Sequence, residues 1–520
     1  MKNINENLNL EQEIQNLRTE NEKLKNKNTE LELLIKHYEE LIRLAKHKQF
    51  GSSSEKTEHV EQLGLFDEAE STADKKEPEP TIEEITYKRK KRVGKREEDL
   101  SALPVEKITY ELPESEKSCP ECNHALHEMT KEIRRELKII PAQVKVVEHV
   151  KHVYACRDCA KKNDHVPIIK ATTPEPVIKG SLASPSSIAH IMVEKYVKAV
   201  PLYRQEQSFI RDGIPISRQT MANWIIRSAE DWLVHVYNRL KELLLKEQVL
   251  HADETVLQVL RELGKKANTN SYEWLYRTSG CAKHAIILYE YQPTRSSSHP
   301  KRFLSGWGGY LHTDGYQGYN DLPGVTVIGC LAHVRRKFDE ALKIMPTDQR
   351  ASSAAAKGQD YCNKLFALER EFQELPPEQR YEKRLEKSFP IAEAFLAWAK
   401  TFEGTAKTPT KAAADYFVNQ WGHLKNFYAD GRLEISNNRA ERSIKPFVIG
   451  RKNWLFSNTT KGAQASSVIY SIIQTAIENG LRPFDYLVLL FETLPNCPLS
   501  KIDDLMPWNA EVQDICKAKI

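Results

Sequence analysis

Two aspartates end apolar runs that are typical of buried strands. Asp253 follows Val249-Leu-His-Ala, and Asp314 follows Tyr310-Leu-His-Thr. Because strands of one sheet bring their ends together, the two carboxylates could share a site. Adjacent carboxylates repel each other unless a cation lies between them, and Mg²⁺ prefers oxygen ligands. The pair predicts metal-dependent phosphoryl transfer, although one such aspartate alone would be better explained as a turn or cap residue.

A third carboxylate cannot be chosen by spacing, because the helical region after the second aspartate contains many glutamates. The segment 436–446 begins a helix and contains one acid, Glu441, among Arg439, Arg442 and Lys445. A carboxylate among cations at a helix N-terminus suits a site where metal and phosphate meet. A surface salt-bridge cluster would explain the same residues equally well, so the pattern leaves both interpretations open.

Four of the nine cysteines form two C-x-x-C pairs, Cys119 with Cys122 and Cys156 with Cys159. An odd total without a signal peptide argues for reduced thiols, and four thiolates can hold a structural Zn²⁺. The gap between the pairs is longer than usual, but a hairpin would fill it. We expect zinc to shape a DNA-binding or protein-binding module. A redox role is disfavoured because neither pair opens a helix.

The bulk composition indicates several folding units and no membrane partner. The chain has 520 residues, of which 40% are hydrophobic, and a net charge of +4. No stretch approaches the roughly 20 apolar residues of a membrane-spanning helix, and the N-terminus does not resemble a signal peptide. We therefore expect a cytoplasmic protein. The net charge says little, but basic residues cluster at 88–92, 335–337 and 451–452, where solvated surface is the alternative.

The first 50 residues carry a heptad pattern. Its d positions are Leu10, Leu17, Leu24, Leu31 and Tyr38, and its a positions are Ile14, Asn21, Asn28 and Ile35. Asparagine at two a positions favours a parallel two-stranded coiled coil, and therefore a homodimer or higher oligomer. A single amphipathic helix on the protein's own core is the weaker alternative, because the other positions are polar. Residues 51–100 are rich in charge and proline and predict a linker.

The segment 180–245 has a helical pattern that includes a turn. One helix ends near Gly213, and Ser217 can cap the next. Arg218, Gln219 and Asn223 would then begin a second helix, as in a helix-turn-helix that faces a major groove. An ordinary helical bundle would give the same pattern.

Beyond this segment the pattern predicts five strands and then helices. The strands are expected at 249–253, 273–277, 284–289, 310–314 and 325–329, with helices at 295–304, 335–422, 438–444 and 463–478. A further strand or hairpin is expected at 144–154. The order of the five strands and their connections is β-β-β-α-β-α-β if a short helix or turn occupies 316–322.

Five blocks together resemble the signature of the insertion-sequence 66 family of transposases. They are His251-Ala-Asp-Glu-Thr255, Thr313-Asp-Gly-Tyr-Gln-Gly-Tyr319, Cys330-Leu-Ala-His-Val-Arg-Arg-Lys-Phe338, Asn437-Asn-Arg-Ala-Glu-Arg442 and Gly450-Arg-Lys-Asn-Trp454. The resemblance extends to the leucine-rich N-terminus, the cysteine pairs and the closing Leu505-Met-Pro-Trp-Asn. One block is a weak signal, whereas the joint order of all five is specific.

The resemblance implies an α/β multidomain protein with a ribonuclease-H-like catalytic core. Asp253 would lie on its first strand, Asp314 on its fourth and Glu441 on a later helix, where they would hold Mg²⁺ or Mn²⁺. The expected domains are the coiled coil 1–50, the linker 51–100, the zinc-binding module 101–170, the helix-turn-helix domain 180–245, the core 246–340, a large helical insertion 341–430, the rest of the core 431–480 and a C-terminal segment 481–520.

The implied activity is metal-dependent cleavage and strand transfer at the ends of an insertion sequence. Terminal inverted repeats and target DNA are the implied partners, with nucleoid association when DNA is bound and small accessory proteins as possible further partners. The residues expected to contact DNA are Arg218, Gln219, Asn223, Arg335, Arg336, Arg439, Arg442, Lys445, Arg451 and Lys452. Cys330 and His333 resemble a C-x-x-H motif that would support the site, with plain packing as the alternative.

Two other functions remain open at this point. One is a nuclease with the same core that does not join strands. The other is a DNA-binding regulator derived from a transposase. Because all three acids are present, the sequence shows no decay of the site.

Overall fold

The computed structural model describes residues 143–155, 168–404 and 408–518, together with five helical positions at 21, 22, 25, 27 and 28. The rest of the expected coiled coil, the linker and the four paired cysteines lie outside these residues. The described residues between 143 and 174 belong to one compact unit, and those between 175 and 518 to another. No helix of the described residues is long and apolar enough to span a membrane.

The smaller unit contains a short antiparallel pair, β1 (Val153–Ala155) and β2 (Ile168–Lys170), with Tyr154 opposite Ile169. The strand predicted at 144–154 forms only at its end. The valines that precede β1 are exposed, Val146 by 88%. Strand pairing here would therefore not be stabilised by a buried apolar face, although the sequence alternates. The prediction was therefore wrong over 144–152.

The larger unit begins with four helices. They are α1 (Pro185–Tyr196), α2 (Leu202–Arg211), α3 (Arg218–Ser228) and α4 (Val234–Leu244). Gly213 lies in the turn between α2 and α3 with φ 78, a conformation that glycine adopts without strain. The Ser217 hydroxyl accepts a hydrogen bond from the Thr220 N–H, as expected for the cap of α3. The helix, turn and helix predicted here are confirmed as structure.

A mixed six-stranded sheet follows. Its strands are β3 (Val249–Arg261), β4 (Asn270–Thr278), β5 (Ile287–Gln292), β6 (Gly309–His312), β7 (Val325–Ile328) and β8 (Ser457–Thr459), and α5 (Ser298–Phe303) lies between β5 and β6. The spatial order is β5-β4-β3-β6-β7, and β8 pairs with the far end of β3. The first three strands are antiparallel, whereas β6 and β7 run parallel to β3. The predicted order of five strands and one intervening helix is confirmed.

A helical region with its own core follows the sheet. Its helices are α6 (Leu331–Lys343), α7 (Thr347–Arg350), α8 (Ala354–Phe372), α9 (Pro377–Lys383), α10 (Phe389–Thr401) and α11 (Pro409–Leu424). Phe395 stacks on Phe417 with ring centroids 3.9 Å apart, and Phe338 packs against the Phe395 ring. This aromatic cluster belongs to a hydrophobic core that is separate from the core shared by most of the sheet.

The last helices cover the sheet. They are α12 (Asn438–Trp454), α13 (Thr460–Glu478), α14 (Pro483–Thr493) and α15 (Ala510–Cys516). The prediction that the helix of α12 ends near Ile444 is wrong, because it continues through Pro446. Burial of Phe447 and Gly450 on the core offsets the hydrogen bond that proline removes. The helices α1, α13 and α14 and the sheet share one hydrophobic core.

Candidate active site

The two aspartates lie at the same level, Asp253 on β3 and Asp314 just beyond the end of the neighbouring strand β6. In the parallel pair of β3 and β6, His251 lies opposite His312, and each aspartate follows two residues later. Asp253 is not at a strand end as expected, because β3 continues to Arg261; only β6 stops at this level. The chain turns away after Asp314 at Gly315, whose φ of 95 favours glycine.

Asp253 lies in a concentration of negative charge. Burial raises the pKa of its carboxyl well above the ordinary value, and the charges of Glu254, Asp314 and Glu441 raise it further. One Asp253 oxygen accepts the Glu254 N–H at 2.8 Å, and one Asp314 oxygen accepts the Tyr316 N–H at 2.9 Å. Neighbouring carboxylates that disfavour the ionisation of Asp253 in this way fit a divalent cation, which would neutralise them.

Glu441 lies in the first turn of α12 and is 6% exposed. Its Oε2 accepts a hydrogen bond from Nη2 of Arg336 at 3.1 Å, and its Oε1 lies 3.7 Å from Nδ1 of His333. Oε1 has no hydrogen-bond partner among the residues that the structure describes. A buried carboxylate oxygen left in this state is costly, so it is also a ready ligand for a cation.

The glutamate is placed between two sets of possible ligands. Within the described part of the chain, ligand atoms within 4.8 Å of one another belong to Cys330, His333 and Glu441, and not to the three acids together. Burial raises the pKa of the Cys330 thiol to about 12. Burial lowers the pKa of His333, and the negative charge of Glu441 offsets part of that shift. Asp253 interacts with Glu441 through charge rather than through contact.

Asn437, immediately before α12, ties the parts of the site together, and its side chain is fully buried. Its amide Nδ2 donates to the Ala252 carbonyl at 2.8 Å, and its Oδ1 lies 2.9 Å from Nδ1 of His251. Its backbone N–H points at the Cys330 sulfur, 3.1 Å away. The residue joins α12, β3 and the start of α6. The sequence placed it in a signature block but did not indicate this role.

A second layer of polar residues lies behind the aspartates. The rings of His251 and His312 stack with centroids 4.3 Å apart, and the Glu434 N–H donates to Nε2 of His312 at 3.3 Å. Although burial opposes ionisation, His251 and Arg439 hold the pKa of Glu434 well below its usual range. Burial and the neighbouring His251 lower the pKa of His312 well below its ordinary value. Sequence reasoning missed this layer because its members come from distant parts of the chain.

Glu254 and its partner Arg295 bind the two tyrosines of the second signature block, Tyr316 and Tyr319. The Tyr319 hydroxyl donates to its carboxylate at 2.6 Å, and Arg295 pairs with it at 2.5 Å. Arg295 also covers the ring of Tyr316, 3.8 Å from the ring centroid. Burial, followed by the charge of Asp314, raises the pKa of Glu254. These contacts fix the loop after Asp314 against β3.

The residues expected to contact DNA differ in accessibility. Those exposed to solvent are Arg218, Gln219, Asn223, Arg442 and Lys452, whereas Lys445, Arg451, Arg336 and Arg439 are half-buried. Arg451 donates to the Thr255 hydroxyl at 3.1 Å and so binds α12 to β3. Arg439 pairs with Glu434 at 2.8 Å.

Arg335 requires a correction. It is 2% exposed, and its Nε donates to Asn363 at 2.7 Å. Because α8 covers this face of α6, the guanidinium is withdrawn from any phosphate outside. We therefore do not assign Arg335 to DNA contact.

Comparison with protein families gives matches along most of the chain. The model described as "Transposase IS66 family" matches residues 180–465, which is more than half of the chain. The zinc-finger binding domain of transposase IS66 matches residues 116–160, and the IS66 C-terminal element matches 471–508. A model described as "Transposase C of IS166 homeodomain" matches 37–108.

Curated relatives are similar over most of their length. The uncharacterized protein y4qI of Sinorhizobium fredii is 32% identical over 72% of this chain and 70% of its own. The uncharacterized proteins y4jD and y4hP of the same organism are 28% and 27% identical, over 81% and 78% of this chain and 84% and 74% of theirs. Their names assign no activity.

Proposed function

Because the chain belongs to the IS66 family of transposases, we propose that it cleaves DNA at the ends of an insertion sequence and transfers those ends to target DNA. The observation that carries the proposal is that Asp253 on β3 and Asp314 just beyond β6 lie at the same level of two adjacent parallel strands, with Glu441 near enough to disfavour ionisation of Asp253. Three such acids are the ligand set of a site for two Mg²⁺ or Mn²⁺ ions.

We propose that Asp253, Asp314 and Glu441 hold the metal ions. When bound, the ions would activate the attacking hydroxyl and stabilise the leaving oxygen of a phosphodiester. The chain's own groups supply orientation: Asn437 holds the start of α12 beside β3, and Arg295 with Tyr319 holds the loop after Asp314. Arg336, which pairs with Glu441, also has the charge and the exposure to meet a DNA phosphate.

The strand order supports a ribonuclease-H-like core. The antiparallel strands β3, β4 and β5 lie beside the parallel strands β6 and β7, and β3, the first of them in the sequence, is at the centre. In an open sheet of this kind, a binding site forms where neighbouring strands end or diverge, and Asp253 lies where β6 leaves β3. We propose this core as the catalytic fold, interrupted by the helices α6 to α11.

The remaining parts of the chain would bind and assemble. We propose that the exposed start of α3, with Arg218, Gln219 and Asn223, contacts DNA. Cys119, Cys122, Cys156 and Cys159 lie in or at the end of the zinc-finger match, and we propose them as the Zn²⁺ ligands. The heptads of residues 1–50 would join two copies of the chain.

The test is a cleavage and joining assay on DNA that spans both flanks of the chain's own gene, with Mg²⁺ or Mn²⁺. Asp253→Asn removes one proposed metal ligand and should abolish both steps. Asp321→Asn is the matched control, because Asp321 is exposed and its φ of 60 suits asparagine equally well. It should leave both steps unchanged.

The products distinguish this proposal from the other functions. Joined products that require Asp253 support a transposase. Cleavage without joining would indicate a nuclease, and DNA binding without cleavage would indicate a regulator. Equal activity of the Asp253→Asn and wild-type proteins would refute the assignment of the site.

A further inference from the structure

We propose that Cys330, His333 and Glu441 form a second metal site, which binds a soft divalent cation such as Zn²⁺. Their ligand atoms lie within 4.8 Å of one another. The distance of 3.7 Å between Nδ1 of His333 and Oε1 of Glu441 is close to the edge of a zinc tetrahedron, about 3.5 Å for the usual bond lengths. Small movements of the side chains would therefore close the site.

Cys330 would contribute the sulfur ligand of this site. The residue is 4% exposed and immediately precedes the first turn of α6. The N–H of Asn437 approaches the Cys330 sulfur at 3.1 Å. A coordinating cation would displace the thiol proton, and the Asn437 N–H would then donate to the metal-bound thiolate.

Two polar atoms of this cluster make no hydrogen bond with the described residues. Nδ1 of His333 and Oε1 of Glu441 are both buried without a hydrogen-bond partner in the described residues. A cation between them would satisfy both, which neither ring nor carboxylate does for the other at 3.7 Å. Sulfur, nitrogen and oxygen together select Zn²⁺ over Mg²⁺, which prefers oxygen ligands alone.

Arg336 opposes loading of the site. Its Nη1 lies 3.5 Å from Nε2 of His333, and its Nη2 binds Glu441. A metal on Nδ1 requires the proton of the ring to lie on Nε2, where it faces the guanidinium. Arg336 must therefore turn away, and its side chain, 29% exposed, borders solvent.

The site would compete with the proposed catalytic site for one shared ligand. If Glu441 binds a soft cation beside Cys330, it is not available to Asp253 and Asp314. This consequence rests on the proposed function, but the metal site itself stands on the geometry of α6 and α12. Binding can be measured without DNA, so failure of the metal site and failure of the proposed function are distinguishable.

The experiment measures zinc and cobalt binding by the full-length chain. Wild type, Cys330→Ala and His333→Ala are dialysed against Zn²⁺, and zinc per chain is determined by elemental analysis. Cys362→Ala is the matched control, because Cys362 is also fully buried but lies in α8, in the core of the helical region. Zinc held by the zinc-finger region is common to all samples and cancels in the comparison.

We expect wild type and Cys362→Ala to hold one more zinc per chain than Cys330→Ala and His333→Ala. Addition of Co²⁺ to chains whose zinc-finger region is loaded should give a cobalt–thiolate charge-transfer band that Cys330→Ala loses. Equal zinc content in all four proteins with an unchanged cobalt band would overturn the proposal. If Cys330→Ala does not unfold cooperatively, the half-buried His333→Ala decides the outcome.

Discussion

Replacement of Asn437 by alanine tests whether one buried amide holds the proposed active site together. The change removes a hydrogen bond to the Ala252 carbonyl at 2.8 Å and a contact with Nδ1 of His251 at 2.9 Å. Both partners are fully buried, so water cannot replace the amide. Each unsatisfied group costs about 1–3 kcal/mol. The free energy of unfolding should therefore fall by roughly 2–6 kcal/mol.

The adjacent residue supplies a control of the same type. Asn438 is 2% exposed, but neither its Oδ1 nor its Nδ2 has a hydrogen-bond partner in the described part of the chain. Asn438→Ala removes the same atoms without breaking a hydrogen bond. It relieves an unsatisfied amide and leaves a small cavity, two effects of opposite sign, so we expect a net change of about 1 kcal/mol or less.

The assay is urea unfolding of both variants, followed by DNA cleavage at a temperature where each is folded. Asn437→Ala should also lose about a hundredfold in cleavage, the order expected when a catalytic group moves by about 1 Å. If the two variants lose equal stability, the hydrogen bonds of Asn437 do not stabilise the fold. If Asn437→Ala is unstable but cleaves normally once folded, the residue does not position Glu441.

Two further predictions concern stability. Glu273 is fully buried, and neither of its carboxylate oxygens has a hydrogen-bond partner among the described residues. The nearby Ser467 hydroxyl donates to the Ala463 carbonyl instead. Burial raises the pKa of Glu273 well above 4.5. Glu273 ionises at a lower pH in the unfolded chain than in the folded one, so the free energy of unfolding falls as pH rises from about 4.5 to the folded pKa. In that window the stability of Glu273→Gln relative to wild type should increase by about 1.4 kcal/mol per pH unit. A difference in urea unfolding that does not change with pH would contradict this. Arg384, 2% exposed at its side chain, pairs with Glu369 at 2.6 Å, so Arg384→Met should cost about 3–5 kcal/mol and the double variant with Glu369→Leu much less. Equal losses in the single and double variants would show that the buried charge of Glu369 is not the cause.

The sequence was sufficient for the elements whose signals are local. Apolar runs bounded by turn residues located all five strands, and Ser217 located the start of α3. What the runs could not show is where pairing stops. Asp253 ends an apolar run because its side chain faces a polar site, although β3 itself continues for eight residues, paired first with β4 and then with β8. The change in composition marked the site and not the end of the strand.

Contacts between distant segments were beyond the sequence. The residues His251 and Asn437 meet across 186 positions, and no local pattern distinguishes an asparagine that bridges two segments from one that caps a helix. Arg335 and Arg336 are adjacent and chemically identical, yet one is buried against α8 and the other reaches Glu441. Adjacent helical positions face different directions, and only the packing of neighbouring helices decides which cation is accessible.

The two interpretations of the Glu441 segment prove compatible once α12 is placed. Glu441 does pair with a cation, Arg336, as a salt-bridge cluster would require. It also lies four residues after Asn437, and its N–H donates to the Asn437 carbonyl at 3.2 Å, so both belong to the same turn at the start of α12. Because the side chain of Asn437 binds Ala252, the residue before Asp253, the bond that fixes the helix start also fixes the distance between the two proposed catalytic acids. A carboxylate at any other turn of α12 would lack this connection, which is why the whole block, and not Glu441 alone, defines the candidate site.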